Sequence, residues 1–442
     1  MIVRGIAYID NRFFERVSIL VDEDTGRIRD IKFGYTFRDY SGKVVDVSRE
    51  RFRILPGAID IHVHLRDLEY SYKEDYFTGT SAAACGGVVL VCDMPNTKPP
   101  TNTPNNLMLK IESARSKALV DYGLYYGVPS SKNMLRDVAR YIVGFKFYPE
   151  DVFEHFNREV YSEILKLAVS NNLTLVFHAE NPKMFNYNAP PGFERPWTSE
   201  YSAIQSILAL THSILRSESI SGVKIHITHV SSAKSIELLV NAKRVYRDRI
   251  KLTFDTTLHH LLLDNSLYRF NPGLYKVYPT LKTRLDNLRL YLGLLRREVD
   301  ALVTDHAPHS LSEKVKPYSN ALPGYPGLEI ALPILLTMVD RGLLTLEDIV
   351  YYYSYSPSRI LGLEGFGVIS RGAYASLTIV DLKTEWKVNP DSFMSKAKYT
   401  PFNGWSLKGK PYITIVRGRV VFENGIVYED LKGWGRNVRE LT

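Results

Sequence analysis

His62 and His64 lie two residues apart. On a strand, positions i and i+2 project to one face, so both imidazoles can reach a single cation. His178 and His229 each close a later apolar run, and Asp305 closes another inside Thr304-Asp305-His306-Ala307-Pro308-His309. Together these side chains offer a nitrogen and oxygen ligand set that suits Zn²⁺ and its borderline neighbours better than Mg²⁺ or Ca²⁺. His226 stands three before His229. That odd spacing assigns it to the opposite face of a strand, and it reads as structural.

Lys146 stands near the carboxyl end of another apolar run. An ammonium with a reference pKa of about 10.4 cannot coordinate a cation. Its placement fits either a lysine whose head snorkels or pairs with a helix, or an amine converted by CO₂ to a carbamate whose two oxygens bridge two metals. Arg66 follows the histidine pair in His62-Val63-His64-Leu65-Arg66. A guanidinium can grip a carboxylate bidentately, or it can form an ordinary salt bridge to Asp67 or Glu69 nearby.

Something must bring these scattered residues to one place. Eight β-rich runs do so on the sequence pattern: Gly57–His64, Gly87–Pro95, Tyr122–Pro129, Val143–Pro149, Leu173–Glu180, Val223–Val230, Ile250–Thr257 and Ala301–His309. Segments with helical periodicity separate them, among them Asn157–Ser170, Glu200–Ser217, Ser232–Tyr246 and Leu285–Val299. The pattern predicts an α/β fold, a (β/α)₈ barrel, with an open doubly wound sheet as the competitor. Closure is preferred because the reactive side chains sit at the carboxyl ends of their runs, where barrel enzymes place their chemistry. Short strands without strong helical separation at Val17–Val21, Ile28–Phe33, Leu377–Asp381 and Ile413–Glu423 predict a small composite β-sandwich domain made from both chain ends. The expected division is 1–55 and 366–442 for that domain and 56–365 for the barrel.

Composition agrees with a globular chain: 442 residues, 45% hydrophobic and 24% charged. Cys85 and Cys92 are the two cysteines, too few for a disulfide framework, which suits a reduced, cytoplasmic setting. The first twenty residues lack a signal-peptide core, and no run reaches the roughly 18 apolar residues of a spanning helix, so neither secretion nor a membrane is expected. The net charge of +8 raises nucleic acid as a partner. The densest basic stretch, Lys243 to Lys251, is broken by Asp248 and reads as a solvated helix face, which leaves a small anion as the better explanation.

The order of motifs resembles the cyclic amidohydrolases, and among them the dihydroorotases. The resemblance runs from Leu55-Pro56-Gly57-Ala58-Ile59-Asp60 and His62-Val63-His64-Leu65-Arg66 through Met94-Pro95-Asn96-Thr97, His178-Ala179-Glu180 and His229-Val230-Ser231. It continues through His259-His260-Leu261, Asp305-His306-Ala307-Pro308-His309 and Gly327-Leu328-Glu329 to Thr414-Ile415-Val416-Arg417-Gly418, covering nearly the whole chain. It implies two Zn²⁺ per chain, one on His62, His64 and Asp305 and the other on His178 and His229. Lys146, carboxylated on its side-chain nitrogen, would bridge them. Asp305 would act as general acid and base beside a metal-bridging hydroxide. Arg66, Asn96 and His309 would bind substrate beside His64, with backbone groups of Pro323 and Gly324 at the ring edge.

The implied activity is reversible closure of N-carbamoyl-L-aspartate to (S)-dihydroorotate in de novo pyrimidine synthesis. Arg66 favours these anions over hydantoin, dihydrouracil or allantoin, none of which has a free carboxylate. One departure stands out. Where the family reads Asn-Pro-Pro-Leu-Arg, this chain reads Tyr278-Pro279-Thr280-Leu281-Lys282, so a phenol replaces a substrate-contacting amide. An allantoinase or hydantoinase/dihydropyrimidinase activity is therefore the alternative. A non-catalytic homologue supporting aspartate carbamoyltransferase is a third reading, opposed by the complete ligand set. The resemblance leaves room for a homo-oligomer and for association with that enzyme.

Overall fold

The computed structural model describes residues 1–36 and 40–441. The N-terminal strands are β1 (Ile2–Ile9), β2 (Phe13–Asp22), β3 (Arg27–Phe33), β4 (Val44–Val47) and β5 (Phe52–Pro56). Eight strands follow: β6 (Ala58–Val63), β7 (Val88–Asp93), β8 (Asp121–Gly127), β9 (Gly144–Phe147), β10 (Thr174–Phe177), β11 (Val223–Ile227), β12 (Ile250–Thr257) and β13 (Ala301–Val303). The chain ends with β14 (Leu377–Lys387), β15 (Ser406–Val416), β16 (Arg419–Glu423) and β17 (Ile426–Val427).

Strands β6 to β13 form one parallel sheet in sequence order. The sheet closes where Val63 bridges His306 and the His64 amide donates to the His306 carbonyl at 2.7 Å. These are the eight expected runs, although the last is a strand only over Ala301–Val303. Asp305 has φ 48°, which breaks extended pairing and turns its side chain at the barrel mouth. The intervening helices begin where the sequence caps them: Asn157 accepts from the Glu159 and Val160 amides, Ser232 from Ser235 and Thr283 from Asp286. Their apolar faces cover the sheet, with Val160, Ile164, Leu165 and Ala168 of the helix Arg158–Ser170 buried.

Among the described residues the terminal strands build one nine-stranded mixed sheet, ordered β17-β16-β15-β14-β5-β1-β2-β3, with β4 on β1. It encloses its own apolar core, including Val3, Val17, Ile19, Ile54, Ile379 and Ile413. The stretch read as one strand over Ile413–Glu423 is a hairpin, because Arg417 and Gly418 turn at φ 45° and 78°. Gly57 alone separates this sheet from the barrel, and a Cβ there would lie 2.4 Å from Val89.

Two pieces of the C-terminal region leave the small sheet and lie on the barrel. The Tyr122 amide donates to Arg436 O and Asn437 Nδ2 to Tyr141 O, while Tyr399 accepts from the His309 amide at 3.1 Å. A buried ion pair joins the two sheets: Arg417 Nε is 3.0 Å from both oxygens of Asp121 at the start of β8. The basic stretch is tied down locally, with Lys243 2.6 Å from Asp300 and Arg249 donating to Ile220 O. Among the described residues no helix is long and apolar enough to cross a membrane.

Candidate active site

At the end of β6, His62 and His64 turn toward Asp305, whose Oδ1 lies 3.3 and 3.1 Å from their Nε2 atoms. Their other ring nitrogens are engaged. His64 Nδ1 meets the amide oxygen of Asn96 at 2.7 Å and therefore carries the proton. His62 Nδ1 is 2.5 Å from Thr228 Oγ1, whose hydroxyl donates to Asp255 at 3.0 Å. The threonine proton being committed, its oxygen accepts from His62. Both histidines thus present an Nε2 lone pair, and ligand atoms of His62, His64 and Asp305 lie within 4.8 Å of one another, an arrangement able to hold a metal ion.

The remaining candidates adjoin this group. The His229 ring is 5.2 Å from that of His62 and 4.4 Å from that of His178, centroid to centroid. Burial first, then neighbouring positive groups, hold His62 and His229 well below the ordinary imidazole range, so both are in the neutral, metal-binding form. His229 Nδ1 is buried without a hydrogen-bond partner. His178 Nε2 meets Glu180 at 2.7 Å, leaving its Nδ1 for a cation. Lys146 is fully buried, and among the described residues its Nζ also has no hydrogen-bond partner. Burial brings its pKa down to about 7, so much of the amine is the neutral nucleophile that adds to CO₂. An orphaned buried amine among unprotonated imidazoles fits a carbamate holding metals.

His226 lies inside the barrel and not on an outer face. Val176 is in register with both Lys146 and His226, so the three share a layer. Strand β11 ends at Ile227 and His229 turns at φ 45°, so strict alternation does not extend to it. His226 is bonded to Thr253 and Asp255 at 2.8 and 2.7 Å, a structural engagement. Arg66, His229 and Asp305 all have left-handed backbones, φ 60°, 45° and 48°, conformations that cost non-glycine residues energy and gather at functional sites.

Arg66 is buried and lines the same cavity. Its Nε donates to Pro308 O at 3.0 Å, and its Nη2 lies 3.2 Å from His309 Nε2. The nearby acids are taken: Asp67 pairs with Lys117 at 2.9 Å and Glu69 with Lys98 at 3.0 Å. Among the described residues no carboxylate pairs with Arg66. Tyr278 lines the cavity too, with the Arg195 guanidinium 3.4 Å over its ring. Arg195 also reaches Glu180 at 2.7 Å. Burial would raise the Glu180 carboxyl, but Arg195 and His178 outweigh it and hold it down at about 2.

All six metal-ligand candidates, with Arg66, Asn96, Tyr278, His309, Pro323 and Gly324, line one cavity of about 400 Å³. Sequence reasoning missed the supports behind them. Asp255 collects Thr228, His226 and the His229 amide, and Asp60 collects the amides of His62 and Thr304. Tyr148 lines the cavity with its hydroxyl buried and unpartnered. Only the position of Asp60 in the Ile-Asp-Ile-His run and of Glu180 after His178 offered a signal.

Residues 53–421 match the family model described as the amidohydrolase family. The chain is 35% identical over 426 residues to a dihydroorotase of Pyrococcus furiosus, covering 96% of this chain and 92% of that one. It is 36% identical to a dihydroorotase of Methanothermobacter thermautotrophicus, covering 90% and 92%. Among solved structures it resembles an L-hydantoinase from Arthrobacter aurescens, with TM-score 0.87 and 27% identity over 98% of each chain. With a ligand-bearing barrel mouth and a match across most of its length, the chain belongs to the amidohydrolase family and is a cyclic amidohydrolase.

Proposed function

We propose that the protein is a zinc-dependent dihydroorotase that interconverts N-carbamoyl-L-aspartate and (S)-dihydroorotate in pyrimidine synthesis. The observation that carries this reading is Arg66: a buried guanidinium with no carboxylate partner among the described residues, facing the cavity that holds the metal-ligand cluster. Such a group is costly to bury unless an anion completes it. Dihydroorotate carries the carboxylate that would do so, and neutral cyclic ureides do not.

His62, His64 and Asp305 would hold one zinc, His178 and His229 the other, and Lys146 as its carbamate would contact both. Bound zinc supplies Lewis acidity and lowers the pKa of a water ligand to about 7. The protein's own groups do the rest. Arg66 holds the carboxylate, with His309 beside it, which fixes the ring. Asp305 accepts the proton of the attacking water and returns it to the departing ring nitrogen. Its Oδ1 faces both histidines, which supports Oδ2 as the oxygen that carries the travelling proton.

Purified protein assayed with dihydroorotate, hydantoin, dihydrouracil and allantoin tests the reading. Turnover of dihydroorotate is expected, and Arg66→Met should lower kcat/KM for it by about tenfold or more, the worth of a charged hydrogen-bonded contact. Turnover of another ring without dihydroorotate overturns it. Tyr278 in place of an amide, with the hydantoinase likeness, favours a hydantoin-type ring as the second reading. Metal content after purification without chelator separates both from a non-catalytic partner of aspartate carbamoyltransferase, for which a folded, metal-free chain is expected.

A further inference from the structure

His309 stands between two cations. Its Nδ1 is 3.3 Å from Lys73 Nζ, while its Nε2 is 3.2 Å from Arg66 Nη2 and 3.0 Å from the Pro323 carbonyl oxygen. Burial, then Arg66 and Lys73, keep the imidazole well below its ordinary range, so it is neutral and has a tautomer to set. A neutral imidazole has one N–H and one lone pair, whereas ammonium and guanidinium groups only donate. The Lys73 contact requires the lone pair on Nδ1. The proton is then on Nε2, where it satisfies Pro323 O. A protonated Nε2 offers Arg66 nothing to bond, so the Arg66 Nη2 amine is left unspent.

Lys73 is built to stay there. It is buried, lies 3.0 Å from Glu313 Oε1 and is flanked by the rings of Tyr70 and Tyr72 at 5.0 and 5.5 Å. Glu313 is in turn fixed by Ser310, whose amide and hydroxyl donate to its other oxygen. Lys73 does not line the cavity, so it acts through His309.

We propose that Lys73 is a positioning residue: by demanding an acceptor at Nδ1 it fixes His309 as the Nε2–H tautomer and keeps Arg66 free for the substrate carboxylate. This deepens, and rests on, the reading of that end of the cavity as the carboxylate site. Without Lys73 the proton can move to Nδ1, 4.0 Å from Glu313 Oε2. The Nε2 lone pair then captures Arg66 Nη2, and Pro323 O loses its donor.

Two measurements on full-length, zinc-loaded protein test this. In protein labelled with ¹⁵N-histidine, with His309 assigned by its loss in His309→Gln, wild type should show the Nε2–H form and Lys73→Met the Nδ1–H form or a mixture. With dihydroorotate, Lys73→Met should raise KM about tenfold while kcat changes less than about twofold, and Lys73→Arg, which still donates to Nδ1, should restore most of the loss. An unchanged tautomer in Lys73→Met, or a fall in kcat at unchanged KM, overturns the proposal. If Lys73→Met does not fold, Glu313→Gln, which removes the ammonium's anchor, is read by the same shifts. The nitrogen shifts need no substrate. A wild type inert toward dihydroorotate therefore overturns the functional reading while the shifts still decide the role of Lys73.

Discussion

Thr228 Oγ1 lies 2.5 Å from His62 Nδ1 and donates its own hydrogen bond to Asp255. That arrangement decides which nitrogen of His62 is left for a metal. Thr228→Val keeps the shape and removes the acceptor, so zinc affinity should fall about 10- to 100-fold, as for other outer partners of metal-ligating histidines. Competition with a chelator of known affinity measures it. An unchanged affinity would show that the ring is held by packing alone.

Among the described residues, Lys146 is the buried amine without a hydrogen-bond partner. Lys146→Ala should abolish turnover and reduce bound zinc, and formate or acetate should partly restore both by supplying the missing carboxylate. Full activity in the variant excludes a bridging role.

Glu180 gives a pH signature. Its carboxyl sits at about 2 in the fold against 4.5 ordinarily, so its contribution to stability is complete above pH 4.5 and is lost as pH falls through 2. The stability difference between metal-free wild type and Glu180→Gln should therefore shrink by roughly 2 kcal/mol between pH 6 and pH 3. Urea unfolding at several pH values reads this directly. A difference that does not change with pH would assign Glu180 a purely steric part.

Arg417 and Asp121 join the small sheet to the barrel through a buried pair. Arg417→Met leaves Asp121 buried and unpaired, which costs about 3–5 kcal/mol. Denaturant unfolding should show that loss. A loss below about 1 kcal/mol would mean that Asp121 is solvated in the variant.

The barrel was readable from the chain because each strand is short, apolar and ended by a turn, and helices such as Arg158–Ser170 and Ala233–Val245 carry an apolar stripe and a side-chain cap. Local chemistry encodes all of these. The hairpin at Arg417-Gly418 was not readable, since β-branched residues continue on both sides of it and only the backbone angles reveal the reversal. Nor was the inward direction of His226, because alternation counted back from His229 crosses a residue with φ 45°.

Residue type and spacing alone placed His62, His64, Lys146, His178, His229 and Asp305 at strand ends, and so determined that one mouth would gather a ligand set. Tertiary structure decided which nitrogen of each ring is engaged, through partners the spacing does not reveal: Thr228 for His62, Glu180 for His178 and Lys73 for His309. It also decided that Arg66 is left without an acid among the described residues, since Lys117 and Lys98 arrive from elsewhere to claim Asp67 and Glu69. Spacing along a strand fixes which face a side chain takes, but a hydrogen bond between residues far apart in sequence exists only once the barrel has closed.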